Sequence, residues 1–463
     1  LLHWDEAALR RALQAPSPLL FLLANTRALD PAAARERIRA IGSRLRPLLE
    51  EACASGRLGR WLVVSRGDST LRGHFPLEVE ELAATLGPFD ATFLAPAFLP
   101  GGRTTAEGVH LLHGEPVHTT AFGRDGLFGY GTSYLPAWVE EKSGGRLPAA
   151  AVQRLSGAEL DAAVAGEPGA LALRQRLAGL QGNPVVVVDA ERPPQLAALG
   201  AAVRELTAPA AAGSWGRPRR FLFQSAASLL NGLVALPPPP LDAAGLAALR
   251  RRTGDGTPLP GLVLVGSHVP LADAQLELLL ADPACGGVEL EVRRLARVLE
   301  GPLPEPLLAS LEQEWWEALE RQLAAGRTPV LFSSRGELRC RSAAERRAFG
   351  LALAGLMARL GAALAPRLGY LISKGGITTH TLLAEGLGLD RVDLQGQLLL
   401  GLSLVLARLA GGAVAPHGPD LPVLTFPGNL GDATTLHASW HWMERGRGPA
   451  DVAPEPQPSA SRT

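Results

Sequence analysis

The stretch Trp61-Leu62-Val63-Val64-Ser65-Arg66-Gly67-Asp68-Ser69-Thr70-Leu71-Arg72-Gly73-His74 sets an apolar run directly against a polar, glycine-bearing loop. Four apolar residues bounded by turn chemistry read as a buried strand over Trp61–Val64. The loop ahead of Pro76 gathers an acid, hydroxyls, arginines and glycines. In an α/β sheet the loop at the carboxyl end of a strand lines the ligand crevice. Glycines admit a close backbone, hydroxyls donate and accept, and an arginine grips a carboxylate in two places. The plainer alternative is a capped turn whose Asp68 and Ser69 satisfy a helix N-terminus.

The same pattern recurs outward in both directions. Strands are predicted at Leu19–Leu23, Ala91–Leu94, Val185–Val188, Phe221–Phe223, Leu262–Val265, Val288–Val292, Val330–Phe332, Tyr370–Ile372 and Val423-Leu424. Helical spacing of Leu, Ile and Ala fills residues 5–14, 31–53, 305–325 and 341–364 between them. Alternation at this pitch predicts an α/β protein with two α/β domains and mainly parallel sheets. Residues 109–120, with β-prone runs flanking Gly114, predict a hairpin. Four prolines at 237–240 read as a stiff spacer. The expected organisation is a first domain over 1–236, a Pro-rich linker over 237–258, a second domain over 259–445 and a disordered tail over 446–463.

Composition narrows the function. The 463 residues carry 45 Lys+Arg against 45 Asp+Glu, 47% hydrophobic and 19% charged residues. This supports large cores, and the neutral balance argues against nucleic acid or an anionic membrane as partner. Cys53, Cys285 and Cys340 form no CxxC, which fits a reducing cytoplasm and no zinc module. The apolar stretch 398–415, broken by Arg408 and a glycine pair, reads as a buried helix. Only Lys142 and Lys374 are lysines; Lys142, in a polar stretch, reads as a solvated surface residue.

Three further loops follow predicted strands. Gly101-Gly102-Arg103-Thr104-Thr105 sets backbone N–H groups beside a cation, suited to an anion, or forms a rigid turn. Lys374-Gly375-Gly376-Ile377-Thr378-Thr379-His380 opens a helix with paired glycines in the manner of a phosphate cradle. Phe426-Pro427-Gly428-Asn429-Leu430-Gly431-Asp432 is a nucleotide loop or a tight turn. Neither GxxxxGK[ST] nor GxGxxG occurs. His110, His113 and His118 sit around the hairpin with His110 and His113 on opposite faces, unsuited to one metal. His437 and His441 stand four apart on a helix with no evident carboxylate partner and read as a surface or core-edge pair.

In this order, Asp68–Gly73, Ala95–Phe98 with Gly101–Thr105 and Gly108–His110, Lys374–Thr378, Gly396-Gln397 with Gly401, and Pro427–Asp432 resemble the four-carbon acid sugar kinase family, over roughly residues 4–445. The resemblance implies an ATP-dependent kinase acting on the terminal hydroxyl of a tetronate or oxo-tetronate. It implies that the first domain binds the sugar acid, the second the nucleotide, and that the active site lies in the inter-domain cleft. Asp68 and Arg72 fall on catalytic positions, Asp68 as base or hydroxyl anchor and Arg72 on the substrate carboxylate. Arg27, Ser69, Gly73, Gly102, Arg103 and Thr104 fall on the substrate side. Gly266, Ser267, Lys374, Gly375, Gly376, Gly396, Gly428, Asn429 and Gly431 fall on the nucleotide side, with Gln397 bordering it. Lys374 is expected to help neutralise ATP phosphate. ATP and Mg²⁺ are the implied cofactors, with metal ligands unassigned, and the expected partners are small molecules, compatible with a homo-oligomer. Two departures stand out: the family's opening Asp-Asp-x-Thr-Gly-Ala loop is missing, and Phe426 stands where a lysine is usual. The first is expected to reflect either N-terminal truncation or a catalytically impaired relative that binds sugar acid or nucleotide as a sensor or partner subunit.

Overall fold

The computed structural model describes residues 1–234, 241, 243–300, 304–335, 343–399, 401–409 and 420–445. The chain divides into two compact units, one of Trp4–Leu236 and one of Leu1–His3 with Pro237–Thr463.

The first unit contains β1 (Val63–Arg66), β2 (Ala91–Ala95), β3 (Arg103–Ala106), β4 (Val109–Leu112), β5 (Glu115–Pro116), β6 (Gln153–Leu155), β7 (Val185–Val188) and β8 (Phe221–Ser225). Its five-stranded sheet has the order β1-β8-β2-β7-β6 with every pair parallel. Parallel strands are covered on both faces, which is why they read as unbroken apolar runs. The pleat sends alternate residues to two cores. Phe93, Val186, Val188, Phe221 and Phe223 face the helices Glu167–Ala178 and Pro193–Thr207, while Leu94, Val187 and Leu222 face Pro31–Ala54 and Leu77–Leu86. The small antiparallel sheet β3-β4-β5 contains the predicted hairpin and one strand more.

The second unit contains β9 (Gly261–Val265), β10 (Cys285–Leu290), β11 (Thr328–Ser333), β12 (Tyr370–Lys374), β13 (Asp393–Leu399), β14 (Leu402–Arg408) and β15 (Asp420–Phe426). Its order is β10-β11-β9-β12-β15-β14-β13, parallel through β15 and antiparallel beyond it. Leu262, Leu264, Leu331 and Leu371 point into one core, and Val263, Val265, Val330 and Ile372 into the other.

Four expectations change. Residues 19–23 join no strand, and Leu20, Phe21 and Leu23 are exposed; an apolar run becomes a strand only when a ladder and a core receive it. Residues 402–408 form β14 instead of a helix, because both neighbours, β13 and β15, supply antiparallel ladders. The second strand of the second unit, β10, ends at Leu290 rather than at Val292, and Val292 opens the next helix. Within the range read as a linker, residues 243–249 are helical and Leu246 is buried in the core. The four prolines and the tail lie outside the described residues. The helix Ala348–Arg367 is long and apolar enough for a membrane span by composition, and half of it is buried within the unit.

Helix packing in the first unit depends on one backbone approach. A Cβ on Gly200 would stand 1.8 Å from the Gly232 carbonyl oxygen, so the helices Pro193–Thr207 and Ser228–Leu233 meet only because residue 200 is glycine. Gly200→Ala is expected to destabilise the protein by about 2–3 kcal/mol, since backbone cannot yield as a side chain can. The check is a lower urea midpoint at unchanged slope.

Candidate functional site

In the first unit the loop after β1 is organised around a carboxylate. Asp68 Oδ2 accepts hydrogen bonds from Thr70 Oγ1 at 2.6 Å and Arg72 Nε at 2.7 Å, and Arg27 Nη1 lies 3.4 Å away. Burial pushes Asp68 upward, but the hydrogen bonds from Thr70 and Arg72 and the two guanidinium charges outweigh it and hold the group below the ordinary carboxylate range. Arg72 also approaches Asp125 Oδ2 at 3.5 Å and stacks over Phe122 at 4.8 Å. Its Nη2 has no hydrogen-bond partner among the described residues. Gly73 continues the loop with open space where a Cβ would stand. Arg27 is positioned through its neighbours: Thr26 donates to Glu78 Oε1 at 2.5 Å, and His74 Nε2 lies 3.1 Å from the Thr26 and Leu29 carbonyls.

The loop after β2 is tied to this group by His110. Its Nε2 lies 2.8 Å from the Ser69 carbonyl, which can only accept, so Nε2 carries the proton. Nδ1, 2.9 Å from Thr105 Oγ1, then accepts from the hydroxyl. Gly102 takes φ 69°, and a Cβ there would strike the His113 ring at 2.2 Å. Arg103 Nη1 donates to the Gly101 carbonyl at 2.6 Å, its guanidinium carbon 5.9 Å from the centre of the Phe98 ring. Thr104 belongs to β3, paired with Leu111. The predicted substrate-side residues therefore collect at the carboxyl ends of β1 and β2, joined by His110. Tyr130, whose hydroxyl donates to the Thr70 carbonyl at 2.7 Å, and Asp125 also belong here, although no motif in the sequence surrounds them.

In the second unit three loops converge at the carboxyl ends of the adjacent strands β9, β12 and β15. A Cβ on Gly266 would lie 1.9 Å from Thr378 Oγ1, one on Gly375 3.3 Å from Ser267 N, and one on Gly428 2.4 Å from Ser267 Oγ. Gly266, Ser267, Gly375 and Gly428 are thus one cluster, and Gly375, at φ 122°, caps the helix Gly376–Thr381. The N–H groups of its first turn have no intrahelical acceptor, the usual provision for an anion. Gly376 and Asn429 are exposed beside the cluster. Gly431 turns the chain toward Asp432, whose Oδ1 accepts from Thr434 N, Thr434 Oγ1 and Thr435 Oγ1. Gly396 stands apart, at a β-bulge on β13 at the far edge of the sheet, 3.4 Å (from a Cβ) from Leu241, and Gln397 accepts from Gly401 N at 3.4 Å.

Lys374 is wholly buried and turned to the chain itself. Nζ donates to the Pro427 and Gly428 carbonyls at 3.2 and 3.1 Å and sits 4.1 Å from the centre of the Phe426 ring. Burial, then the charge of Arg335, pushes the ammonium down to about 8. Lys142 behaves alike: it is half-buried, not solvated, and donates to the Phe128 and Gly129 carbonyls at 3.3 and 3.1 Å. No motif in the sequence singles out Arg335, although it follows the predicted strand now seen as β11. Nη1 donates to the Ser267 carbonyl at 2.6 Å and pairs with Asp273 at 3.0 Å, while Nε and Nη2 are buried without a partner among the described residues.

His110 supplies a pH test. Burial pushes it down to about 4, against an ordinary value of about 6.5. On acidification the unfolded imidazole takes a proton that the folded one refuses, so its contribution is complete above about 6.5 and is lost progressively as pH falls toward 4. His110→Gln is expected to flatten this loss between pH 6.5 and 5, measured as urea unfolding free energy at each pH; the full excursion is worth about 3 kcal/mol.

Comparison with known proteins agrees with this division. The sugar-binding N-terminal domain family matches residues 3–233, and the nucleotide-binding C-terminal domain family matches residues 262–436. A D-threonate kinase from Cupriavidus necator is 29% identical over 390 residues, covering 83% of this chain and 80% of that protein. Two solved structures share the fold. One, from Salmonella typhimurium LT2 and provisionally described as a tRNA synthase, has a TM-score of 0.62 at 16% identity and covers 94% of this chain and 95% of its own. The other, from Haemophilus influenzae, has a TM-score of 0.59 at 15% identity and covers 90% and 88%. The chain belongs to the four-carbon acid sugar kinase family, with its sugar-binding domain first and its nucleotide-binding domain second.

Proposed function

We propose that the protein transfers the γ-phosphoryl group of ATP to the terminal hydroxyl of a four-carbon sugar acid. The observation that carries this reading is the division of anion-gripping groups between the units. Arg27 and Arg72 stand in the sugar-binding unit, and the Gly266, Gly375 and Gly428 cluster with Arg335 stands in the nucleotide-binding unit. Arg72 Nη2, left over after Asp68 and Asp125 are satisfied, offers the substrate carboxylate a charged donor. Asp68 acts as the anion that orients both arginines; a carboxylate held low by two guanidinium groups is a poor proton acceptor near neutral pH. The N–H groups at Gly376–Thr378 and the Arg335 donors that find no partner among the described residues would face phosphate, and Lys374 secures the Pro427–Gly428 loop from inside.

Mg²⁺, arriving with the nucleotide, supplies charge neutralisation across the transferred phosphate. The residue here that fits it is Asp432: its hydrogen bonds all fall on Oδ1, leaving Oδ2 for a hard cation, and those from Thr434 and Thr435 keep it ionised.

One observation favours a second reading, binding without turnover: Asp68 is held low by Thr70 and Arg72 and Asp125 chiefly by the Leu127 and Phe128 N–H groups, so neither is poised as a base. A coupled ADP assay with Mg-ATP decides between them. D-Threonate, named for the Cupriavidus necator relative, is the first acid to test. Turnover on a tetronate or oxo-tetronate supports the kinase; calorimetric binding of acid and nucleotide with no ADP supports the alternative. Where turnover is found, Arg72→Ala is expected to raise KM for the acid by about 10- to 100-fold, the loss of a charge-assisted contact, with KM for ATP unmoved. Arg335→Ala and Lys374→Ala are expected to do the converse, each raising KM for ATP about tenfold.

A further inference from the structure

The two histidines that the sequence leaves without a partner acquire one in the fold. His437 and His441 stand one turn apart on the helix Thr435–Arg445, their rings 4.4 Å apart and nearly perpendicular. Asp282 comes to them from 155 positions away, in the turn between the helix Pro270–Leu280 and β10. Both imidazoles aim Nε2 at the same carboxylate oxygen: His437 Nε2 lies 3.1 Å from Asp282 Oδ2 and His441 Nε2 3.6 Å from it. One ligand atom from each residue falls within 4.8 Å of the other two.

His437 is also within hydrogen-bond reach of Asp282 Oδ2, whereas His441 lies beyond it, and both separations suit a shared small cation. Metal–ligand bonds of about 2.1 Å in a tetrahedron hold neighbouring donor atoms about 3.4 Å apart. The i, i+4 spacing of the histidines is the one by which a helix presents two imidazoles to one metal. The outer contacts are also in place. Asp282 Oδ1 accepts the Ala284 N–H at 2.9 Å, which fixes the carboxylate with Oδ2 toward the imidazoles. Trp440, 4.6 Å from the His441 ring and 5.7 Å from His437, walls the site, and its indole N–H donates to Thr328 Oγ1 at 3.1 Å. About a quarter of each histidine side chain is exposed, so an ion has access and a water position remains. Two imidazoles and a carboxylate favour a late first-row divalent cation over Mg²⁺.

We infer that Asp282, His437 and His441 form a zinc-binding site that clips the helix following the Pro427–Asp432 loop to the turn entering β10. It lies where β10 begins, whereas the candidate nucleotide loops lie where β9, β12 and β15 end. Ligation therefore acts on the stability of the helix and not on the reacting groups.

The test uses the full chain, stripped with chelator and titrated with zinc against a chromophoric competitor, with cobalt(II) as a spectroscopic substitute. One equivalent per chain is expected, with ligand-field bands of a low-coordinate cobalt(II) site and a zinc-dependent rise in Tm. His441→Gln and the double variant His437→Gln/His441→Gln should weaken zinc binding by about tenfold or more and abolish the Tm shift. Asp282→Asn serves as an independent variant should a histidine replacement fail to fold, judged by circular dichroism. Zinc bound equally by wild type and variants, or no zinc bound by wild type up to millimolar concentration, overturns the site.

Discussion

Everything at the two candidate sites hangs on how a parallel ladder ends. A strand's last carbonyl still needs a donor, and the first residue of the neighbouring loop supplies it. Gly67 N–H donates to Ser225 O at 2.8 Å and Ala226 N–H to Ala95 O at 3.2 Å in the first unit. Gly266 N–H donates to Lys374 O at 3.0 Å and Gly375 N–H to Phe426 O at 2.9 Å in the second. Each loop therefore leaves the sheet from a fixed point beside its neighbour, and only after that rung does the chain turn away. The cost is space: at Gly67 and Gly266 a Cβ would drive into Gln224 and Thr378. Small residues at these exits reflect the meeting of loops as much as the approach of a ligand.

The two units then use charge differently. The candidate loops of the first unit are built from opposed charges, with Asp68 and Asp125 holding Arg72 while Arg27 closes on Asp68. Such a network is pre-organised before any ligand arrives, because its anions already orient its cations. The candidate loops of the second unit expose backbone N–H groups, and their cations, Lys374 and Arg335, bind carbonyl oxygens of the same loops. Charge here first fixes the shape of the cradle.

Legibility of the sequence followed burial and proximity. Strands covered on both faces, such as Val185–Val188 and Gly261–Val265, were readable as apolar runs. Leu402–Arg408 looks the same in one dimension but owes its state to β13 and β15 on either side, and Leu19–Leu23 finds no such neighbour. Loop residues next to strand ends were found by position, yet the contacts that assemble them were not. His110 reaches Ser69 across 41 positions, Arg335 reaches Ser267 across 68, and Asp282 meets His437 across 155. No local pattern encodes such a pairing, because tertiary packing alone creates it. Gly396, placed by resemblance among nucleotide residues, lies at the far edge of the sheet for the same reason: a motif fixes order along the chain, not distance in space.

The two lysines share one posture, each ammonium closing on two consecutive carbonyls of a loop, Phe128–Gly129 for one and Pro427–Gly428 for the other. Amine-directed chemistry therefore meets a protein with scarcely a soft target on its side chains. An acylating reagent reaches Lys374 only when the 426–428 segment lets go of it, so the rate at which that one amine is modified becomes a clock for loop opening. In an ordinary lysine-rich surface that signal would be lost among dozens of faster reactions.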